Sequence, residues 1–259
     1  VRPVNQRRDL LLEELGLAPV WRLRNQPAPN PETMLAPAPV ADLSAAVPAQ
    51  RDGAKVAPSA GRAELIMRMD WPALKQAVAT CTACELHKER NSTVFGVGAE
   101  QADWLLVGEA PGAEEDARGE PFVGETGHLL DNMLAAIGLG RGQNVYISNV
   151  LKCRPPGNRN PDAVEVASCS PHLTRQISLV RPKLILAMGR FAVQTLLGTD
   201  ATIASLRGRL QQYQGVPLVV TYHPAYLLRS LADKAKAWED LCLARQTMQD
   251  LLCASSPRH

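Results

Sequence analysis

Aromatic side chains are scarce in this chain of 259 residues: they make up 4% of it, and only three are Phe. One of the three, Phe122, stands among turn residues in GEPFVG, which marks it as a candidate for a site, with a core role as the alternative. Long apolar runs are missing as well. None approaches the roughly 20 residues of a membrane helix, and the charged N-terminus has no apolar core of a signal peptide, so the expected compartment is the cytoplasm, with no membrane partner. Charge of one sign is missing too. A net charge of +2 and a pI near 8.3 leave room only for a local basic site. No internal repeat is visible. What is present in quantity is apolar material, 46% of residues, enough to fill a globular core.

The chain divides by composition. Residues 1–62 are a variable N-terminal segment, rich in Pro and Ala through APNPETMLAPAPVADLSAAVPAQ, and are expected to be largely disordered. One short amphipathic helix is expected within them, through Leu10, Leu11, Leu15 and Leu17. From residue 63 to 259 a single domain is expected. WLLVGE (104–109), VYISNV (145–150), LILAMG (184–189) and PLVVTYH (217–223) are short, continuously apolar runs of the kind buried on both faces of a parallel sheet. Helical spacing appears between them. Leu129, Leu130, Met133, Leu134 and Ile137 form one helix ending at Gly138, and RFAVQTLLG forms another closed by Gly198. Asn160-Pro161-Asp162 reads as an N-cap, a first-turn proline and a first-turn acid; Ser170-Pro171 restarts the helix and Arg181-Pro182 stops it. A last helix is expected over 231–252. The pattern predicts a three-layer α/β/α domain with a short, mostly parallel four-stranded central sheet.

Ligands of such domains bind at the carboxyl ends of the strands. Those ends carry Gly108–Gly112 (GEAPG), Asn149 and His223, with Phe122 in the loop that follows the first. G-x-G-x-x-G, the P-loop and G-x-S-x-G are absent from them, which argues against a nucleotide cofactor and against an esterase elbow. Cys81 and Cys84 form C-x2-C ahead of the first strand, and Cys153 and Cys169 follow the second. Four cysteines in two groups fit a structural zinc or an iron–sulfur cluster. Spacing alone favours zinc, and His172 keeps a mixed Cys/His site open. Cys242 and Cys253 stand at no ligand spacing.

GEAPGAEEDARGEPFVGETGHLL, VYISNVLKCRPPGNRNP and TYHPAYLLR, in this order behind a C-x2-C, closely resemble the type 4 uracil-DNA glycosylases, the iron–sulfur members of the uracil-DNA glycosylase superfamily. The resemblance runs through most of residues 78–230. It implies a [4Fe–4S] cluster on Cys81, Cys84, Cys153 and Cys169. It also implies a DNA repair enzyme that flips uracil out of single- or double-stranded DNA and hydrolyses its N-glycosidic bond, leaving an abasic site. By resemblance, His223 donates to uracil O2, Asn149 reads O4 and N3–H, and Phe122 stacks on the base. Glu109 is the carboxylate of the reaction, and the backbone of Gly108, Glu109 and Ala110 touches uracil. HPAYLLRS resembles the loop that enters the minor groove, with Leu227, Leu228 and Arg229 as wedge and phosphate contacts. Lys152, Arg154 and Arg159 are further phosphate candidates.

Two other readings compete. One is a uracil-DNA binding or covalently trapping protein on the same fold; the trapping relatives carry a basic, histidine-containing insertion that RPPGNRNPDAVE lacks. The other is a zinc-stabilised scaffold that binds nucleic acid without chemistry. The expectation is a monomeric, monofunctional enzyme. Residues 1–62 are the candidate tether for a repair or replication protein, although no motif there supports it.

Overall fold

The computed structural model describes residues 60–255; the helix expected through Leu10–Leu17 and the Pro/Ala-rich stretch lie outside the described residues. In chain order the elements are α1 (Ala60–Met67), α2 (Trp71–Ala79), β1 (Val97–Gly98), β2 (Trp104–Gly108), α3 (Ala113–Arg118), α4 (Gly124–Ala136), β3 (Val145–Asn149) and α5 (Ala163–Val180). They continue with β4 (Leu184–Met188), α6 (Arg190–Leu197), α7 (Ile203–Leu206), β5 (Leu210–Tyr213), β6 (Val216–Thr221), α8 (Pro224–Leu227) and α9 (Lys234–Ser255). The first helix starts before the expected boundary between residues 62 and 63.

The strands form one sheet in the order β1-β3-β2-β4-β6-β5. Its four central members are the four expected strands, and they pair in parallel. The sheet has six strands rather than four because β1 and β5 add antiparallel edges. β1 is two residues long, and β5, LQQY, alternates exposed and half-buried positions, so neither carries an apolar run to announce it.

Every residue of β2, β3 and β4 is buried, and the alternation of side chains sorts them onto two faces. Leu105, Val107, Ile185, Ala187, Leu218 and Val220 pack with Leu173, Ile177 and Val180 of α5 and with Val193 of α6. Trp104, Leu106, Ile147, Leu186 and Val219 pack on the other side with Leu130, Met133 and Leu134 of α4 and with Leu241, Ala244 and Met248 of α9. Those are the three expected layers.

Two helix expectations need correction. The cap of α5 is Asp162, not Asn160: its carboxylate accepts from Val164 N at 2.7 Å, while Glu165 Oε2 accepts from Asp162 N at 2.8 Å. That reciprocal box starts the helix beyond Pro161. Nor does α5 restart at Pro171, which lies inside one continuous helix. An interior proline costs one backbone hydrogen bond, but Cys169 before it and Leu173 and Ile177 after it are buried on the same sheet face, and that packing carries the helix through. No described helix is long and apolar enough to cross a membrane.

Candidate active site

The strand register assembles the site. Gly108 pairs with Asn149 across β2 and β3, and Met188 pairs with Thr221 across β4 and β6, so the four parallel strands end together. The chain leaves β2 for β3 on one side and later enters β4 on the other, which puts the loop after Gly108 at a topological switch point. A cleft of about 1110 Å³ opens there, lined by Glu109, Phe122, Asn149, Gly189, Arg190 and His223 among others.

Asn149 is buried at the cleft floor, 2% exposed, and its Oδ1 has no hydrogen-bond partner. An orphaned buried acceptor is costly unless a ligand supplies the donor. Gly108 is required beside it: a Cβ there would run into Asn149 Oδ1 and Phe122 Cζ. Phe122 is buried and sits at φ +54°, a left-handed conformation unusual for a bulky residue. Its backbone is held on both sides. The Arg141 guanidinium donates to the carbonyls of Pro121 and Phe122 and pairs with Asp131 at 2.5 Å. Glu115 bridges the neighbouring loops, accepting from Gly112 N at 3.0 Å and Val123 N at 3.1 Å. The Phe122 ring lies nearly parallel to the His223 ring at 5.3 Å.

His223 closes the fourth strand end and is the N-cap of α8. Its Nδ1 accepts the backbone N–H of Ala225 at 3.2 Å. A neutral imidazole that accepts at Nδ1 carries its proton on Nε2, so this contact fixes the tautomer, a partner no motif in the sequence revealed. Burial pulls the His223 pKa down to about 4, with Arg229 adding to the effect, which keeps the ring neutral at physiological pH. Glu109 is half-buried, and burial raises its pKa against the opposing pull of Arg190. Sequence reasoning missed Arg190, which follows β4 and Gly189 directly and lies over the Phe191 ring at 4.6 Å. The strand-end rule that found the others would have found it.

The remaining candidates separate by exposure. Leu227 is 1% exposed and packed in the core, so it is not available as a wedge; Leu228 and Arg229 are at the surface. Lys152 is likewise withdrawn from any phosphate role, being 1% exposed. Arg159 is paired bidentately with Glu165, and Arg154 donates to Asn158 Oδ1 at 2.7 Å.

Behind the cleft, Cys81, Cys84, Cys153 and Cys169 line one small pocket with His172, Arg90 and Lys152. Among the described residues no three His, Cys, Asp or Glu groups stand as a site for a metal ion; the four cysteines share the lining of this pocket. Burial raises the pKa of Cys84, Cys153 and Cys169, the last to about 12. Neighbouring donors and cations oppose that rise in part. Arg90 Nη1 donates to Cys153 Sγ at 3.2 Å, Arg62 Nη2 to Cys81 Sγ at 3.5 Å, and the Lys152 backbone N–H to Cys169 Sγ at 3.3 Å. Four soft donors ringed by N–H groups and cations fit a thiolate-held cluster. His172 is buried with Nδ1 unpartnered, and burial holds its pKa near 3, the Arg62 and Lys152 charges adding to the effect. Cys242 and Cys253 lie outside this pocket on α9.

The chain's resemblances agree with this geometry. The family model of the uracil DNA glycosylase superfamily matches residues 95–242. The type-4 uracil-DNA glycosylase of Archaeoglobus fulgidus is 45% identical over 159 residues, 58% of this chain and 79% of that protein. That of Pyrobaculum aerophilum is 41% identical over 185 residues, 68% of this chain and 93% of that protein, and that of Thermotoga maritima 40% over 165 residues, 63% and 85%. Sequence match and site architecture together lead to one assignment: the chain belongs to the uracil DNA glycosylase superfamily, among its type-4 members.

Proposed function

We infer that this protein excises uracil from DNA, hydrolysing the N-glycosidic bond to leave free uracil and an abasic site. The observation that carries the reading is the buried, unpartnered Oδ1 of Asn149 at the floor of the cleft. Uracil N3–H supplies the donor this oxygen lacks, and the amide nitrogen of the same side chain donates to O4. Cytosine presents the reverse pattern and leaves both groups mismatched. Phe122 gives the flipped base a face to stack on, worth roughly 1–3 kcal/mol.

Bond cleavage puts negative charge on the base and positive charge on the sugar. The Nε2–H of His223 donates to O2 as that charge develops; because the ring is already neutral and its tautomer set, no proton has to be rearranged first. Glu109 faces the sugar side, where its carboxylate favours the cation and orients the attacking water. Water adds its hydroxyl to the sugar carbon and the uracil anion leaves, to be protonated in solvent. Among the described residues none that lines the cleft is a lysine, and the reaction we infer has no lyase step.

Cys81, Cys84, Cys153 and Cys169 would hold a [4Fe–4S] cluster, whose contribution when bound is a cross-link between the segment around residue 81, the loop after β3 and α5. Leu228 and Arg229 meet the DNA. The protein works as a monomer in the cytoplasm, with 63–259 as the glycosylase domain.

The decisive experiment is multiple-turnover release of uracil from an oligonucleotide carrying one uracil, with cytosine and thymine controls and His223→Ala alongside. Uracil-only release that falls about 10²–10³-fold in the variant is the expected result. A DNA adduct at one equivalent, or no product from iron-loaded protein, would overturn it.

A further inference from the structure

The most unusual buried group outside the cleft is Lys152. Its ammonium is fully enclosed, and all three of its protons are used: on Ser148 Oγ at 2.6 Å, on the backbone carbonyl of Asn149 at 2.7 Å and on Gln176 Oε1 at 2.6 Å. The acceptors are themselves fixed. Ser148 Oγ donates to Gln176 Oε1 at 3.0 Å, and Gln176 Nε2 donates to the carbonyl of Phe95 at 2.8 Å and to the Tyr146 hydroxyl at 3.2 Å. At its other end the same residue is tied into the cysteine pocket. The Lys152 backbone N–H donates to Cys169 Sγ, and its carbonyl accepts from Val94 N at 2.8 Å. One residue therefore spans the distance between a cysteine of that pocket and the backbone of the base-reading asparagine.

Burying a lysine among neutral acceptors is expensive, and a Leu or Met would fill the volume more cheaply. Packing alone does not account for it. What a lysine supplies here, and an apolar side chain does not, is a directional clamp on the Asn149 carbonyl at the point where β3 ends and its own ladder partner, Gly108, has no side chain to brace it. The side-chain amide of Asn149 has no other fixed partner at Oδ1, so its aim depends on how firmly its backbone is held.

We propose that Lys152 is a positioning residue for uracil recognition: anchored in the cysteine pocket by its backbone, it holds the Asn149 backbone so that the amide above it meets N3–H and O4. This rests on the assignment of Asn149 as the base reader.

A double-mutant cycle tests it. Free-uracil affinity by calorimetry and single-turnover excision are measured for wild type, Lys152→Met, Asn149→Ala and the double variant, with iron content and circular dichroism recorded for each. Lys152→Met is expected to keep its iron and secondary structure yet lose about 10–100-fold in uracil affinity and excision rate, the scale of a hydrogen bond to a charged group. In the Asn149→Ala background the same change is expected to cost less than about twofold. A residue that merely stabilises the fold would cost the same factor in both backgrounds, and that result overturns the proposal. Should Lys152→Met fail to fold or to keep iron, Ser148→Ala leaves the lysine and all four cysteines in place and removes one acceptor. The expected loss is then about three- to tenfold, again confined to the Asn149 background, and equal losses in both would again overturn it. If wild type releases no uracil from DNA, it is the functional assignment that falls; if wild type is active and the losses add, only the role of Lys152 falls.

Discussion

The cleft and the cysteine pocket lie at the two ends of a five-residue link, Asn149 to Cys153, and are built on opposite rules. The cleft is made from strand ends, where hydrogen-bonded backbone fixes each side chain; it holds a neutral histidine and one acceptor without a donor. The cysteine pocket is made from a loop ahead of the sheet, a loop behind it and α5, and it collects cations around sulfur. The first arrangement suits an uncharged guest that arrives, reacts and leaves. The second suits an anionic group that stays. The difference is in how charge is placed: Arg62 and Arg90 donate directly to cysteine sulfur, whereas charged groups lining the cleft, Glu109, Arg190 and Arg229 among them, surround a neutral histidine.

Substitutions that strike only one of the two regions sharpen that contrast. The largest effect is expected from Cys169→Ala, which removes a buried ligand from the middle of α5: absorbance near 400 nm and bound iron should fall to background, and the melting temperature should drop by 10 °C or more, on the order of 3 kcal/mol for a domain of this size. A variant with full iron and an unchanged melting curve would break the separation between the two regions. Next comes His223→Ala, expected to lower excision about 10²–10³-fold with iron content untouched. Gly108→Ala should follow at about 10²-fold, because the new methyl group occupies the space between Asn149 and Phe122, and free uracil should no longer protect the protein thermally. Phe122→Leu is expected to cost about 5–100-fold in excision, the worth of one stacked base.

The smallest effect is in the pH profile. His223 must be neutral to donate at O2 while Nδ1 stays an acceptor, so in Glu109→Gln, where that carboxylate no longer titrates, the residual excision should hold as pH falls through 6.5, where an ordinary histidine titrates, and drop only as it approaches about 4. In wild type Glu109, whose pKa burial raises, adds its own loss of activity as it is protonated, and Glu109→Gln removes it. The matching stability term has a definite sign. With the folded pKa below the unfolded value near 6.5, the unfolded chain takes up the proton first, so the His223 contribution is intact above pH 6.5 and is lost as pH falls toward 4. An acid limb at pH 6.5 in Glu109→Gln would show that the ring is solvated, not buried.

The central sheet was legible because four runs of unbroken apolar residues admit few other readings, and the site was legible because chemistry collects where such strands end. What escaped is what has no periodic signature. The edges β1 and β5 are too short or too polar to stand out from loops. Asp162 took the cap from Asn160 because the reciprocal bond from Glu165 outweighs a single preceding amide. Pro171 read as a break because a local rule cannot see the burial on either side of it. Lys152 and Leu227 were misplaced for one reason: a lysine in a loop and a leucine in an exposed-looking motif carry no mark of burial that a single sequence displays. The tautomer of His223 was set by the N–H two residues on, which is visible only once α8 has formed.

The parallel register has one more consequence. Gly108, Asn149, Gly189 and His223 are separated along the chain by roughly 35–40 residues at each step, and neighbouring parallel strands can pair only after the intervening helix has crossed the sheet. Every wall of the cleft is thus non-local, and its closure belongs late in folding, after loop entropy has been spent three times over. Free uracil should accordingly bind no partly folded form, slow unfolding without speeding refolding, and serve as a reporter of the finished native state.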